Sequence, residues 1–96
     1  MGWIKMPKNY TKKQSGGSVF YFSSDKKTAI EIGQDKDEKK WFVAVLRKPK
    51  YYEGIEGDSI LWGEKYALTN IGEDFAERKK AIAWTKDWMK KHPKGL

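Results

Sequence analysis

Hydrophobic and polar positions follow a period of two along much of the chain and a helical period near its end. Apolar runs at 18–23 and 41–46 and an alternating segment at 28–32 predict β-strands, since successive side chains of a strand face opposite sides. A fourth strand is predicted over 60–69, with an interruption at Gly63. The segment 41–46 is apolar on both faces, which favours a central strand.

The final predicted element is an amphipathic helix over 74–91. Asp74 is its predicted N-cap, and Pro93 and Gly95 mark its end. At about 100° per residue, the apolar side chains fall on one half of the helical wheel and most lysines on the other. We expect the apolar half to pack on the sheet, because so polar a helix is only marginally stable alone.

The order of these elements predicts an α+β fold: a four-stranded, mostly antiparallel sheet (ββββα) with one C-terminal amphipathic helix on one face. Residues 1–17 are interpreted as a basic N-terminal arm and residues 18–96 as a single domain. The apolar Trp3 and Ile4 could dock part of the arm on the domain. One helix covers one face, so the other face is expected to meet solvent, a dimer partner or a ligand.

Composition narrows the class of protein. The chain has 96 residues, 39% of them hydrophobic, which suits one domain with a modest core. The absence of cysteine excludes disulfides, a thiol nucleophile and cysteine-ligated metals. No apolar run reaches the roughly 20 residues that span a bilayer, and residues 1–14 lack a signal-peptide core, so we expect a cytoplasmic protein without membrane contact. Scarce Asn and Gln beside abundant lysines and acids resemble the composition of hyperthermophile proteins.

The charge is strongly basic and unevenly distributed. The formal net charge is +7, and the cations are 18 lysines and two arginines. Residues 1–28 and 79–96 each carry six lysines and one aspartate. Lysine is a mobile point charge, whereas arginine is the planar fork that reads base edges. This balance indicates general attraction to a polyanion in preference to base-specific recognition.

Aromatic residues interleaved with cations predict a nucleic-acid interface on the expected open face. Single strands bind such faces by stacking of bases on rings, worth about 1–3 kcal/mol per base, with lysines attracting the phosphates. The candidate cations are Lys12, Lys13, Lys26, Lys27, Lys40, Arg47, Lys48 and Lys50. The candidate stacking residues are Tyr21, Trp41, Tyr51 and Tyr52. The predicted function is binding of DNA or RNA, single-stranded in preference to duplex, with little sequence specificity.

The predicted topology resembles that of the PC4/Whirly group of single-strand-binding proteins. The segment 41–47, with its basic end, and the following Tyr51, Tyr52 and Gly54 are similar to a stretch of that family. The resemblance covers about residues 18–91 and implies a dimer whose curved sheets hold melted DNA. The lysine–glycine motif of Whirly proteins is absent, and no binding residue is carried over from the family.

The acidic clusters and the single histidine favour surface roles over chemistry. The clusters are Asp35, Asp37 and Glu38, and Glu53, Glu56 and Asp58. The first interleaves lysines and lacks the glycine and final glutamate of a calcium loop, so we interpret both as solvated turns without metal. No nucleophile and orienting acid are indicated near His92. We therefore expect neither an enzyme nor a cofactor.

Two other functions fit the sequence. One is a protein-interaction or accessory domain, which could be a homodimer, whose charge serves solubility without nucleic-acid binding. The other is a duplex-DNA architectural protein in which the lysine half of the helix follows the phosphates. That helix half includes Lys79, Lys80, Lys86 and Lys90.

Overall fold

The computed structural model describes residues 2–5, 19–35, 39–48, 58–61 and 64–96. These residues form an antiparallel sheet followed by one C-terminal helix that packs on it, which confirms the predicted α+β class. The strands are β1 (Trp3–Lys5), β2 (Val19–Ser23), β3 (Thr28–Asp35), β4 (Lys40–Arg47), β5 (Asp58–Leu61) and β6 (Glu64–Phe75), and the helix is α1 (Arg78–Lys91). Their order in the sheet is β1-β2-β3-β4-β6-β5, with every neighbouring pair antiparallel.

The described strands number six, so the prediction of a four-stranded sheet was wrong. Five of them have four or more residues, and β1 is a three-residue edge strand inside the predicted basic arm. The predicted strand over 60–69 is instead the hairpin of β5 and β6, whose register pairs Ile60 with Lys65. Three residues are too few to show a period of two, and a pattern along the chain does not reveal a reversal of direction.

The central part of the sheet follows the sequence pattern closely. The β2–β3 hairpin pairs Val19 with Ile32, and β4 lies between β3 and β6 as its two apolar faces predicted. Val45 is buried on the face beneath the helix, and Leu46 is buried on the opposite face. β4 is thus covered on both faces, and every position from 41 to 46 is buried or half-buried.

The helix begins later than predicted, because β6 continues through Phe75. Phe75 pairs with Trp41, and Asp74 pairs with Phe42, so the backbone at these positions belongs to the sheet. The N-cap is therefore Glu77, with extended backbone angles (φ −129°, ψ 140°) and no side-chain capping hydrogen bond. The assignment of Asp74 as N-cap was wrong because pairing with β4 outweighs its local preference for a helix start.

One hydrophobic cluster lies between the sheet and α1. Its buried members are Ile30, Ile32, Val43, Val45, Ala81 and Trp88. Half-buried rings complete it from both elements, which places the apolar half of the predicted helix on the sheet. At about 1.5–3 kcal/mol per fully buried large apolar side chain, this packing accounts for the stability of so polar a helix.

A second cluster occupies the face of the sheet opposite α1. It consists of Phe20, Phe22, Ala29, Leu46 and Tyr66, each no more than 1% exposed. The open aromatic face that the sequence led us to expect is therefore not found at these positions. The sequence pattern predicted which residues share a face of the sheet, but it did not predict the shape of the sheet.

Curling of the sheet explains how this second cluster forms. The ring centroids of Phe22 and Tyr66 are 5.7 Å apart, although β3 and β4 separate their strands. In a flat sheet three strand spacings would place them about 14 Å apart. A bulge between β4 and β6, in the interval from Ala44 to Leu46, accompanies the curl, as bulges increase strand twist. The hydroxyl of Thr69 donates to the Val45 carbonyl oxygen there, at 2.7 Å.

Candidate nucleic-acid interface

The two described stacking candidates, Tyr21 and Trp41, lie beneath the helix. Both are half-buried and pack against the cluster between the sheet and α1. The guanidinium carbon of Arg78 lies 5.9 Å from the centroid of the Trp41 ring, a cation–π arrangement that covers part of that ring. Neither ring stands on an open sheet face, and their role in stacking stays a prediction. Five other candidates lie outside the described residues: Lys12, Lys13, Lys50, Tyr51 and Tyr52.

The structure brings four of the predicted cations to one end of the sheet. Lys26 and Lys27 form the β2–β3 turn, and Arg47 and Lys48 lie at the end of β4. The backbone N–H of Lys48 donates to the Lys27 carbonyl oxygen at 2.8 Å, which joins the two segments. All four side chains are exposed. We call these four residues the turn cluster.

Lys40 does not belong to the turn cluster. It is the first residue of β4, and Arg47 is the last. Seven residues of extended chain separate their Cα atoms by about 23 Å. Of the five described cationic candidates, four therefore lie together, and Lys40 lies at the opposite end of the sheet.

The β2–β3 turn that carries two of these cations is held by local hydrogen bonds. The Asp25 carboxylate accepts hydrogen bonds from the Lys27 backbone N–H at 3.0 Å and from the Ser23 hydroxyl at 2.7 Å. The bond from the Lys27 N–H, followed by that from Ser23, holds the pKa of Asp25 below its ordinary value. Lys26 adopts a left-handed conformation (φ 60°), and its carbonyl oxygen accepts a 2.6 Å bond from the Tyr66 hydroxyl.

The outward side of α1 carries a row of three exposed lysines. Lys79, Lys86 and Lys90 are separated by seven and four residues, which places them within about 40° of one another around the axis and over about 16 Å. Within the part of the chain that the structure describes, none of the three forms an ion pair. We call them the lysine row.

A neighbouring row on the same helix differs in having acids beside its lysines. Lys80 Nζ lies 3.9 Å from a carboxylate oxygen of Glu77, and Lys91 Nζ lies 3.0 Å from one of Asp87. We call Lys80 and Lys91 the paired lysines. The N-cap Glu77 and the one acid of α1, Asp87, thus contact the paired lysines, whereas the lysine row is uniformly positive, which suits contact with a row of anions.

A pocket of about 440 Å³ lies where the last turns of α1 meet β1. The described residues that line it are Gly2, Trp3, Lys86, Met89, Lys90 and Pro93. Trp3 and Met89 are half-buried and form an apolar wall, whereas Lys86 and Lys90 are exposed. The lysine row therefore ends at a concave apolar surface, which we call the β1 pocket.

Trp3 is fixed in the wall of this pocket by two contacts. Its indole N–H donates to the His92 carbonyl oxygen at 3.0 Å. Its ring meets that of Trp88 edge-on, with 5.9 Å between centroids, and Trp88 in turn stacks on His92 at 4.0 Å. A Cβ added at Gly2 would overlap the Pro93 carbonyl oxygen, so this close approach of backbones requires glycine.

The sequence did not indicate that Trp3 and Met89 line a common pocket. The signal available was the apolar Trp3 and Ile4 within a basic segment, which predicted docking but not the place. The hydrogen-bond partner of Trp3 is His92, 89 positions away. Hydrophobic periodicity reports only local structure, so it does not indicate a contact between such distant residues.

In the ranges that the structure covers, no three His, Asp or Glu side chains are grouped to hold a metal ion. Among the same ranges, no helix has the length and apolar character needed to cross a membrane.

No protein family, curated protein or solved structure matches the chain. The resemblance to the PC4/Whirly group stays a prediction.

Proposed function

We propose that this chain is a nucleic-acid-binding protein, not an enzyme, which holds the phosphate backbone with little dependence on base sequence. The observation that carries the proposal is the lysine row. Three exposed ammonium groups, which form no ion pair with any described residue, are aligned over about 16 Å and offer a linear array of charge to a linear polyanion. A compact anion would need only one or two of them.

The type of cation supports phosphate contact in preference to base reading. The lysine row has no arginine, and the turn cluster has only Arg47. Lysine makes point-charge contacts with phosphate, whereas specific readout relies mainly on bidentate arginine or amide side chains. The turn cluster provides a second positive surface, so binding by the whole molecule is expected to exceed that of α1 alone.

The proposed mode differs from the stacking platform suggested by the sequence. The buried aromatic cluster opposite α1 leaves Phe20, Phe22 and Tyr66 unavailable to bases, and Trp41 lies beneath the helix. In the proposed mode, the lysines of α1 provide the main contact with the nucleic acid, in place of rings on an open sheet face. The duplex-binding alternative uses the lysine row together with Lys80, and a comparison of duplex with single-stranded probes separates the two modes.

The test is fluorescence anisotropy with labelled single-stranded DNA, single-stranded RNA and duplex DNA at about 50 and 200 mM salt. The double variant Lys79→Gln/Lys86→Gln removes two charges from the lysine row. Its matched control, Lys80→Gln/Lys91→Gln, removes two charges from the same helix. We expect the first to weaken binding more strongly and to reduce the salt slope by about 1.4 for a single strand.

Each outcome of this experiment has a distinct meaning. Equal losses in the two double variants would contradict a role for the lysine row and reduce binding to net charge. No binding to any of the three nucleic acids at the lower salt would overturn the proposal. The protein-interaction role, with no nucleic-acid partner, would then be the function to pursue, beginning with the mass of the protein in solution at several concentrations.

A further inference from the structure

We propose that the β1 pocket receives one unpaired base of a single-stranded nucleic acid, while Lys86 and Lys90 contact phosphates next to that base. This inference rests on the proposed function and deepens it, because it makes single strands the preferred form. It assigns a site to Trp3 and Met89, which the phosphate contacts alone leave without a role.

The size and lining of the pocket suit a base. Its volume of about 440 Å³ falls within the range of about 300–1,000 Å³ typical of small-molecule sites. The half-buried Trp3 lines the pocket with an aromatic ring, a group on which bases stack, and the thioether of Met89 is polarisable and adapts to a flat ring. A base within a duplex is paired and stacked, so entry into the pocket favours a base that is already unpaired.

The wall of the pocket is organised before any ligand arrives. The hydrogen bond from Trp3 to the His92 carbonyl oxygen and the edge contact with Trp88 fix the indole in place. A ring held in this way loses little conformational freedom when a base stacks on it, which leaves more of the contact energy for affinity.

Charge complementarity distinguishes a nucleic acid from a small acidic ligand. Lys86 and Lys90 line the pocket, and Lys79 continues the lysine row about 10 Å further along α1. A single carboxylate in the pocket would leave Lys79 without use. A strand with one base in the pocket carries its phosphates past the pocket and along the row, so one ligand satisfies both surfaces.

The deciding comparison uses two single strands of the same length and charge, one with all its bases and one that is abasic at its central positions. Phosphate contacts treat the two alike, whereas the pocket requires a base. We expect the protein to bind the intact strand about tenfold more tightly, the gain that one stacked base gives.

Two leucine variants locate the effect. Trp3→Leu keeps an apolar wall but removes the ring, and we expect it to abolish the difference between the two strands. Trp84→Leu is the matched control: it is a half-buried tryptophan of α1 that packs on Phe75, with ring centroids 6.4 Å apart, away from the pocket. We expect Trp84→Leu to keep the difference, with thermal melting to establish that each variant is folded.

A second measurement uses the wild-type protein, so its result does not depend on whether Trp3→Leu folds. A single strand carrying one 5-iodouracil is cross-linked by light, and the attached residues are identified by mass spectrometry. Cross-links within residues 2–5 or 86–93 support the site. Cross-links confined to other segments, or equal affinity for the intact and abasic strands, would overturn the pocket while leaving phosphate binding in place. Failure of both strands to bind would instead overturn the proposed function.

Discussion

At the scale of single residues, the β2–β3 turn shows how side chains replace missing backbone partners. Ser23 is buried, and its hydroxyl accepts a 3.0 Å hydrogen bond from the Thr28 N–H while it also contacts Asp25. Asp25 closes the turn through the Lys27 N–H. The sequence identified a polar turn here, because Ser and Asp commonly bond to nearby backbone groups. It did not reveal that Arg47 and Lys48 lie at the same end of the sheet as this turn.

This geometry predicts a pH-dependent stability for the turn. The pKa of Asp25 is lower in the folded chain, so its contribution is present above the ordinary pKa of aspartate, about 3.9, and is lost as the pH falls through the folded value. Between about pH 5 and pH 3, we expect the Tm of Asp25→Asn to fall less than the Tm of the wild-type protein, because the variant has no carboxylate to protonate at this position. Circular dichroism melting curves at several pH values measure this difference.

The control for this prediction is Asp74→Asn. Asp74 is exposed and accepts no side-chain hydrogen bond within the described ranges. We expect that variant to lose stability with acid as wild type does. The prediction fails if the two variants respond to pH alike.

At the scale of elements, the sequence predicted those strands and the helix whose hydrophobic pattern lies within one short segment. Strands β2, β3 and β4 and the wheel of α1 follow from periodicity, and all four are confirmed. The start of α1 was misplaced because Phe75 continues an apolar helical pattern while its backbone pairs with Trp41 on another strand. Pairing between strands depends on partners distant in the chain, which local propensity does not contain.

The helix start provides a prediction at this scale. Glu77 has the extended backbone of an N-cap residue but makes no capping hydrogen bond with its side chain. Aspartate at this position has the length preferred for capping, so we expect Glu77→Asp to stabilise the protein by about 0.5–1 kcal/mol. That corresponds to an increase in Tm of about 4 °C, measured by thermal melting.

Loss of the contact between Glu77 and Lys80 offsets this gain only slightly. Their charged atoms are 3.9 Å apart and both side chains are exposed, and such pairs contribute little. Glu73→Asp makes the same substitution at an exposed position of β6, and we expect no increase in Tm from it. A similar increase in both variants would show that capping is not the cause.

At the scale of the whole molecule, curling of the sheet decides which surfaces remain for binding. A flat four-stranded sheet under one helix would expose the rings of Phe20 and Phe22, whereas the curled sheet buries them against Tyr66. Alternation of residues specifies which face a side chain occupies but not how far the sheet bends. The exposure of the cations could be predicted, because charged side chains rarely leave water. The β1 pocket could not be predicted, because its walls come from opposite ends of the chain.

The bond between Trp3 and His92 has a further consequence for the order in which the molecule forms and opens. Its 89-residue span makes it costly to close early, whereas the β2–β3 and β3–β4 hairpins join neighbouring segments. We expect the backbone amides of β1 to exchange with deuterium faster than those between β3 and β4, as measured by NMR. Equal rates would show that β1 opens only with the whole fold.

Such an opening would remove the β1 pocket while the central sheet stays folded, since Gly2 and Trp3 provide one of its walls. A ligand in the pocket binds only the closed form and therefore slows exchange at β1 by mass action. We therefore expect the exchange rate of β1 to report the fraction of molecules in which the β1 pocket is open, and the proposed single-stranded ligand to lower that rate.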